Sequence, residues 1–232
     1  MASRSITSAF AAIILAAAST PMAQQPVGFP APPPKLSPAQ GAIDFHVHSE
    51  PDVFGRSMDD IDVAVLAKRK GMRGLVLKNH VTMTADRAVL VMKTVPGIEI
   101  FGGIVLNNAV GGINPAAVEW MHRMSGGRGK VVWLPTFDSD KHVKTLVDPK
   151  GSGIVVAPNG VVTPQLEEVL KIIARENLVL ATGHIHAEEV MAVVERAREL
   201  GVKNILVTHA LTNIPGLSME QVRQVEIGRA HV

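Results

Sequence analysis

Nine histidines stand in a chain of 232 residues that has no cysteine, and their spacing is the feature that could do chemistry. The densest run is Ile43-Asp44-Phe45-His46-Val47-His48. In an extended strand successive side chains alternate faces, so Asp44, His46 and His48 are expected on one face and Ile43, Phe45 and Val47 on the other. The pattern recurs along the chain. Lys78 and His80 share a parity after Leu75-Val76-Leu77, His184 and His186 share one after a later apolar run, and His209 follows Ile205 and Val207. With His231 set aside for a reason given below, six of the eight remaining histidines close apolar runs, while His122 and His142 lie in helical or loop segments. Buried imidazoles need polar partners, so convergence on a metal ion explains this clustering more simply than core filling does. Without thiolates, ligands are limited to His, Asp, Glu or a modified lysine. Imidazole and oxygen donors suit zinc best, with manganese, iron or nickel as alternatives.

The elements that must position these residues follow from apolar periodicity. Strands are expected at residues 42–48, 74–80, 99–106, 130–137, 178–184 and 204–209, alternating with amphipathic helices in a repeat of about 30 residues. Ser57 with Asp60, Asn114 before Pro115, Thr163 before Pro164, and Ser218 with Gln221 read as helix starts, and Gly71, Gly126 and Gly201 as stops. Residues 151–162 read as a small hairpin around Pro158-Asn159-Gly160. This is an α/β chain, either a doubly wound open sheet or a TIM-type (β/α)8 barrel. Such barrels need ~250 residues, and residues 42–226 number fewer than 190. The expectation is an incomplete barrel with about six βα units, the last two missing, and with the imidazoles at its C-terminal mouth.

His46-x-His48 after the first strand, Gly183-His184 after the fifth and Thr208-His209 after the sixth resemble the metal-ligand pattern of the amidohydrolase superfamily. The likeness spans nearly all of the chain after its Pro-rich segment. It lies nearest to uncharacterised amidohydrolase-like proteins, so it brings no substrate with it. It implies that His46 and His48 bind the more buried ion and that His184 and His209 bind the more exposed one where the site is binuclear. One or two divalent ions are thus the implied cofactor. The bridging ligand of that superfamily has no plain match, because Lys130 sits at the wrong end of its strand and Asp138 is the nearest carboxylate. Lys78 is the candidate substitute. It should point inward, where desolvation lowers a lysine pKa, and three roles stay open for it: an ion pair with Asp44, a carbamate, or a contact to substrate. The superfamily's general base ends an eighth strand, which this chain lacks. The fragment by itself is therefore expected to be inactive. His186 is a candidate for proton shuttling or substrate contact, with a plain loop role as the alternative.

The implied function is metal-dependent hydrolysis of an amide, lactam, lactone or ester of a small-molecule substrate through metal-activated water. The rivals are a phosphoesterase of the polymerase-and-histidinol-phosphatase type, for which only Arg56 and Arg87 are placed to help with phosphate, an amidohydrolase-like decarboxylase, and a metal- or ligand-binding protein without turnover. The net charge of +2 and the absence of basic runs interleaved with aromatics argue against nucleic acid. Gly102-Gly103 and Gly111-Gly112 lack dinucleotide-site spacing. At the N-terminus, Arg4, an apolar run from Ala9 to Ala18 and Pro21-Met22-Ala23 read as a signal peptide over residues 1–23. That run is about half the ~20 residues needed to cross a bilayer, so a periplasmic or secreted protein free of the membrane after cleavage is expected. Residues 24–40 read as a Pro-rich linker and 41–226 as the hydrolase body. Residues 227–232 are what ATC GGA AGA GCA CAC GTC encodes, a stretch of a common sequencing adapter, so the native sequence is expected to end near Glu226. A homo-oligomer is compatible with all of this.

Overall fold

The computed structural model describes residues 38–227. The expected signal peptide, residues 24–37 of the expected linker and residues 228–232 of the expected adapter tail lie outside the described residues. Six strands form one sheet: β1 (Ile43–Val47), β2 (Gly74–Leu77), β3 (Glu99–Val105), β4 (Gly129–Trp133), β5 (Val179–Ala181) and β6 (Asn204–Leu206). All neighbours are parallel and the spatial order is the chain order, β1-β2-β3-β4-β5-β6. A doubly wound sheet reverses direction at a switch point, so the open-sheet alternative fails. A flat sheet with five spacings of ~4.8 Å would hold β1 and β6 about 24 Å apart. Yet the ring of His46, in β1, and that of His209, which follows β6, have centroids 4.9 Å apart. The sheet is therefore curled into a half-barrel of the TIM-like α/β type.

The helices are α1 (Asp60–Arg69), α2 (Ala85–Thr94), α3 (Pro115–Arg123), a short α4 (Asp140–His142) continued by a π-helical turn (Val143–Val147), α5 (Pro164–Arg175), α6 (Ala187–Glu199) and α7 (Met219–Ile227). Their starts follow side-chain capping. Asn114 accepts from the Ala117 N–H, Thr163 from the Leu166 N–H, and Ser218 and Gln221 cap one another. The first helix begins later than expected, because Asp59 rather than Ser57 accepts the Asp62 N–H. Gly71, Gly126 and Gly201 have the positive φ of helix stops.

Two apolar clusters join strands to helices. One packs Leu75, Leu77 and Ile100 against Ala64, Ala88 and Val91, and a larger one packs Leu134 and Leu180 against Val169, Ile173 and Val194. A third holds strand residues only, Ile43, Val76, Val105, Val131, Trp133, Ala181 and Leu206, and marks the concave face. Trp133 fills that face because Gly103, on the neighbouring strand, has no side chain: a Cβ there would lie 2.7 Å from the indole.

Two expectations are corrected. Register slips by one between Asp44 and Val47, a bulge that reverses side-chain parity inside β1. Ile43 consequently packs on the concave face and Val47 on the helix side, although both positions are odd. Asp44 does not share a face with His46 and His48. It is exposed and accepts from the His46 N–H at 2.9 Å. The expected hairpin at 151–162 is an irregular loop with one 3-10 turn at Pro158–Gly160. Its Val156 and Ala157 N–H groups bond to the buried carboxylate of Glu189 on α6, at 2.6 and 2.9 Å, instead of to a partner strand.

Candidate metal centre

The bulge in β1 turns both His46 and His48 to the concave side at the C-terminal end of the sheet, where their Nε2 atoms stand 3.2 Å apart. Lys78, two residues beyond Val76 of the concave face, brings its Nζ to 3.1 Å from the His46 Nε2. His80 keeps the same parity and stacks on His48 with centroids 4.7 Å apart. Asn107, just after β3, donates to the His80 carbonyl and to Thr136 Oγ1, and Thr136 Oγ1 lies 2.8 Å from His80 Nδ1. This buried amide thus ties the ends of β2, β3 and β4 together.

On the other side, strand alternation would not have delivered the imidazoles. Val179 and Ala181 face the concave side while Leu180 packs on helices, so continued alternation would send His184 outward. Gly183 breaks the alternation with a φ of 64°. A Cβ at this position would meet the Leu134 and Pro135 carbonyl oxygens at 2.2 and 2.6 Å, so only glycine fits the turn. Likewise Ile205 and Val207 pack against the helix-side core and Leu206 is concave, yet His209 comes inward because β6 has ended and its own φ is 53°. That left-handed conformation is uncommon outside glycine and is held where surroundings demand it.

The result is a closed circuit of rings around the rim. Centroid separations run His209 to His46 4.9 Å, His46 to His48 5.0 Å and His48 to His80 4.7 Å. They continue His80 to Phe137 3.9 Å, Phe137 to His142 5.0 Å, His142 to His184 5.1 Å and His184 to His209 5.4 Å. His46, His48, His184 and His209 are thus brought together, from β1 at one edge and from the ends of β5 and β6. His186 is not among them. It precedes α6 and bonds Asp140 Oδ2 through Nε2 at 2.8 Å, while Lys144 approaches the same oxygen at 2.9 Å.

Burial sets the charge state of the circuit. Desolvation first, and the nearby Lys78 charge second, hold His46 and His184 down to a pKa of about 3 and His48 to about 4. His80, His142 and His209 are lowered chiefly by desolvation as well. Neutral imidazoles offer lone pairs, which is the form that binds metals. Lys78 is 1% exposed, and burial, with the Arg56 charge next, lowers its pKa to about 7. The Asp44 ion pair is not found: among the described residues no carboxylate pairs with Lys78, whose charge is flanked by imidazole and by the Trp133 ring at 5.4 Å.

A divalent ion fits these donors in kind. Two nitrogens bonded to one tetrahedral zinc at ~2.05 Å would stand ~3.3 Å apart, close to the 3.2 Å between the His46 and His48 Nε2 atoms. The Nε2 of His184 is buried with no hydrogen-bond partner, an expensive state for a polar atom unless something else satisfies it. Its Nδ1 lies 3.0 Å from His142 Nδ1, so a proton between those two atoms can leave the Nε2 lone pair free. Among the described residues no three His, Asp or Glu side chains are already gathered in finished metal-holding geometry. The fit is one of chemistry and neighbourhood rather than a completed coordination sphere.

Sequence reasoning missed His142, whose place on α4 hides it from strand parity, and gave no role to Asn107, Thr136 or Phe137. For His142 no local signal existed, since it reaches the rim only through the path of the loop after β4.

Residues 41–231 match the model of a family described as a family of unknown function (DUF6282). No curated protein matches the chain. Among solved structures the chain is similar to the histidinol phosphate phosphatase of Lactococcus lactis subsp. lactis Il1403, crystallised with zinc, L-histidinol and phosphate. The two are 10% identical over 83% of this chain and 95% of that one, with a TM-score of 0.39.

Proposed function

The chain belongs to the family of unknown function DUF6282, and we propose that it is a metal-dependent hydrolase acting on a small molecule. The observation that carries this reading is the convergence of His46 and His48 from β1, His184 from the end of β5 and His209 from the end of β6 onto one rim. These four would hold one or two divalent ions, zinc foremost. Such an ion supplies Lewis-acid activation of water and of the bond to be cleaved. Lys78, at a pKa of about 7, is suited to give or take a proton near neutral pH. His142 orients His184 through the 3.0 Å contact between their Nδ1 atoms, as outer partners of metal-binding imidazoles do. Phe137, stacked on His80 at 3.9 Å and met edge-on by Phe54 at 5.4 Å, walls one side against water. His186, held by Asp140 at the start of α6, stands apart from the four converging histidines.

Amide, lactam, lactone and ester substrates are the favoured class. For phosphate monoesters one of the two candidate arginines is lost, because Arg87 is committed elsewhere. Its Nε and Nη2 lie 2.7 and 2.8 Å from the Asp60 carboxylate, and Nη1 donates to the Pro51 carbonyl. With the signal peptide expected at its N-terminus, the chain would work in the periplasm or outside the cell. The test is turnover of a panel of amides, lactones, carboxylic esters and phosphate esters by the zinc-loaded chain and by the same protein after chelation. Chelator-sensitive hydrolysis restored by zinc supports the proposal. Tight zinc binding with no turnover of any panel member would favour a binding protein instead.

A further inference from the structure

We infer that Arg56 is the recognition point for an oxyanion on the substrate, a carboxylate or a phosphate group carried beside the bond to be hydrolysed. This deepens the hydrolase proposal and rests on it. The loop between β1 and α1 is pinned over the rim from below. Arg87 donates to the Pro51 and Ser49 carbonyls, Asn79 donates to the Pro51 carbonyl, and Ser49 Oγ donates to Asp60. The loop thereby carries Phe54 onto Phe137, a ring of the imidazole circuit, at 5.4 Å. The Arg56 guanidinium lies over Phe54, 5.6 Å from its centroid. Its Nε and Nη2 both stand 2.8 Å from Oδ2 of Asp52. Among the described residues nothing accepts from Nη1. The Asp52 side chain is wholly buried while that of Arg56 is 22% exposed, so the pair is a guanidinium held in one orientation with donors left for a ligand.

Charge balance points the same way. An imidazole binds a metal in its neutral form, so an ion held by the rim histidines would keep its full positive charge, and Asp52 pairs with Arg56. Among the described residues, the Asp140 carboxylate is engaged by His186 and Lys144, and Asp138 accepts the Asn108 N–H. An anionic substrate would therefore be drawn to the centre by the metal charge and aligned by Nη1 of Arg56, with its apolar part against Phe54 and Phe137.

The test is calorimetric titration of the full chain, zinc-loaded and zinc-free, with sodium phosphate in one arm and sodium benzoate in the other. It compares the wild type with Arg56→Gln, and with Asp52→Asn/Arg56→Gln, which leaves no buried charge unpaired. The wild type should bind at least one anion, and both variants should bind it tenfold or more weakly, as loss of a charge-assisted hydrogen bond implies, with unchanged zinc stoichiometry. Binding of phosphate assigns a phosphoryl substrate and binding of benzoate a carboxylate, and either supports the inference. It is overturned if neither anion binds the wild type, or if the folded double variant binds as tightly as the wild type. A chain that binds anions through Arg56 but takes up no zinc would sink the metal reading alone.

Discussion

Replacing Lys78 by methionine should stabilise the metal-free chain at neutral pH, and the size of the effect can be worked from the site. Lys78 is 1% exposed with no carboxylate partner among the described residues, and its pKa falls from 10.5 unfolded to about 7 folded. Because the folded pKa is the lower one, the unfolded chain binds the extra proton between those two values. Stability therefore rises with pH across that window, by about 1.4 kcal/mol per pH unit, and the penalty vanishes above pH 10.5. At pH 7 the upper bound is about 4 kcal/mol, and relaxation around the ammonium brings the expectation to about 2 kcal/mol. Methionine removes the titrating group while nearly filling its volume. Urea unfolding of chelated wild type and Lys78→Met at several pH values from 6 to 10.5 would read the difference directly. The variant should be more stable at pH 7, with the gap closing as pH rises. A variant less stable than wild type at pH 7, or a gap independent of pH, would refute the reasoning. The same logic says why such a residue persists: an unpaired buried lysine costs stability, which makes it a candidate for chemistry rather than for packing.

The rim imidazoles give a second pH signature. Since His46, His48 and His184 fall from 6.5 to about 3, 4 and 3 on folding, the unfolded chain binds more protons between about pH 6.5 and 4. Stability of the metal-free protein should drop as pH falls through that window, with an uptake of roughly one proton per imidazole, and a thermal midpoint flat from pH 7 to 4.5 would contradict this. Gly183→Ala should cost on the order of 3 kcal/mol in urea and weaken zinc binding, because it adds a side chain at φ 64° that strikes two backbone oxygens. Glu189→Ala should cost about 3 kcal/mol in the same assay by orphaning the buried N–H groups of Val156 and Ala157.

The six strands were legible because each is a short apolar run bounded by glycine, proline or polar residues, and the chain-order sheet follows from their regular alternation with capped helices. The gathering of His46, His48, His184 and His209 was legible from where they sit relative to those runs. The way each side chain turns inward was not. Period-two alternation predicts faces only while the strand is regular, and a bulge in β1 and left-handed residues at Gly183 and His209 decide the outcome. The Asp44 ion pair failed for that reason. His142 was illegible because it lies outside any strand, and the 151–162 hairpin failed because Glu189, more than thirty residues away, satisfies the N–H groups a strand partner would have taken.

X-ray absorption at the zinc edge of the zinc-reconstituted chain examines the metal centre most directly, with His46→Ala and His184→Ala measured beside it. The imidazole circuit predicts a first shell of nitrogen and oxygen at about 2.0–2.1 Å with outer-shell scattering from at least three imidazoles, reduced in each variant. A spectrum without imidazole scattering, or one that neither substitution changes, would contradict it.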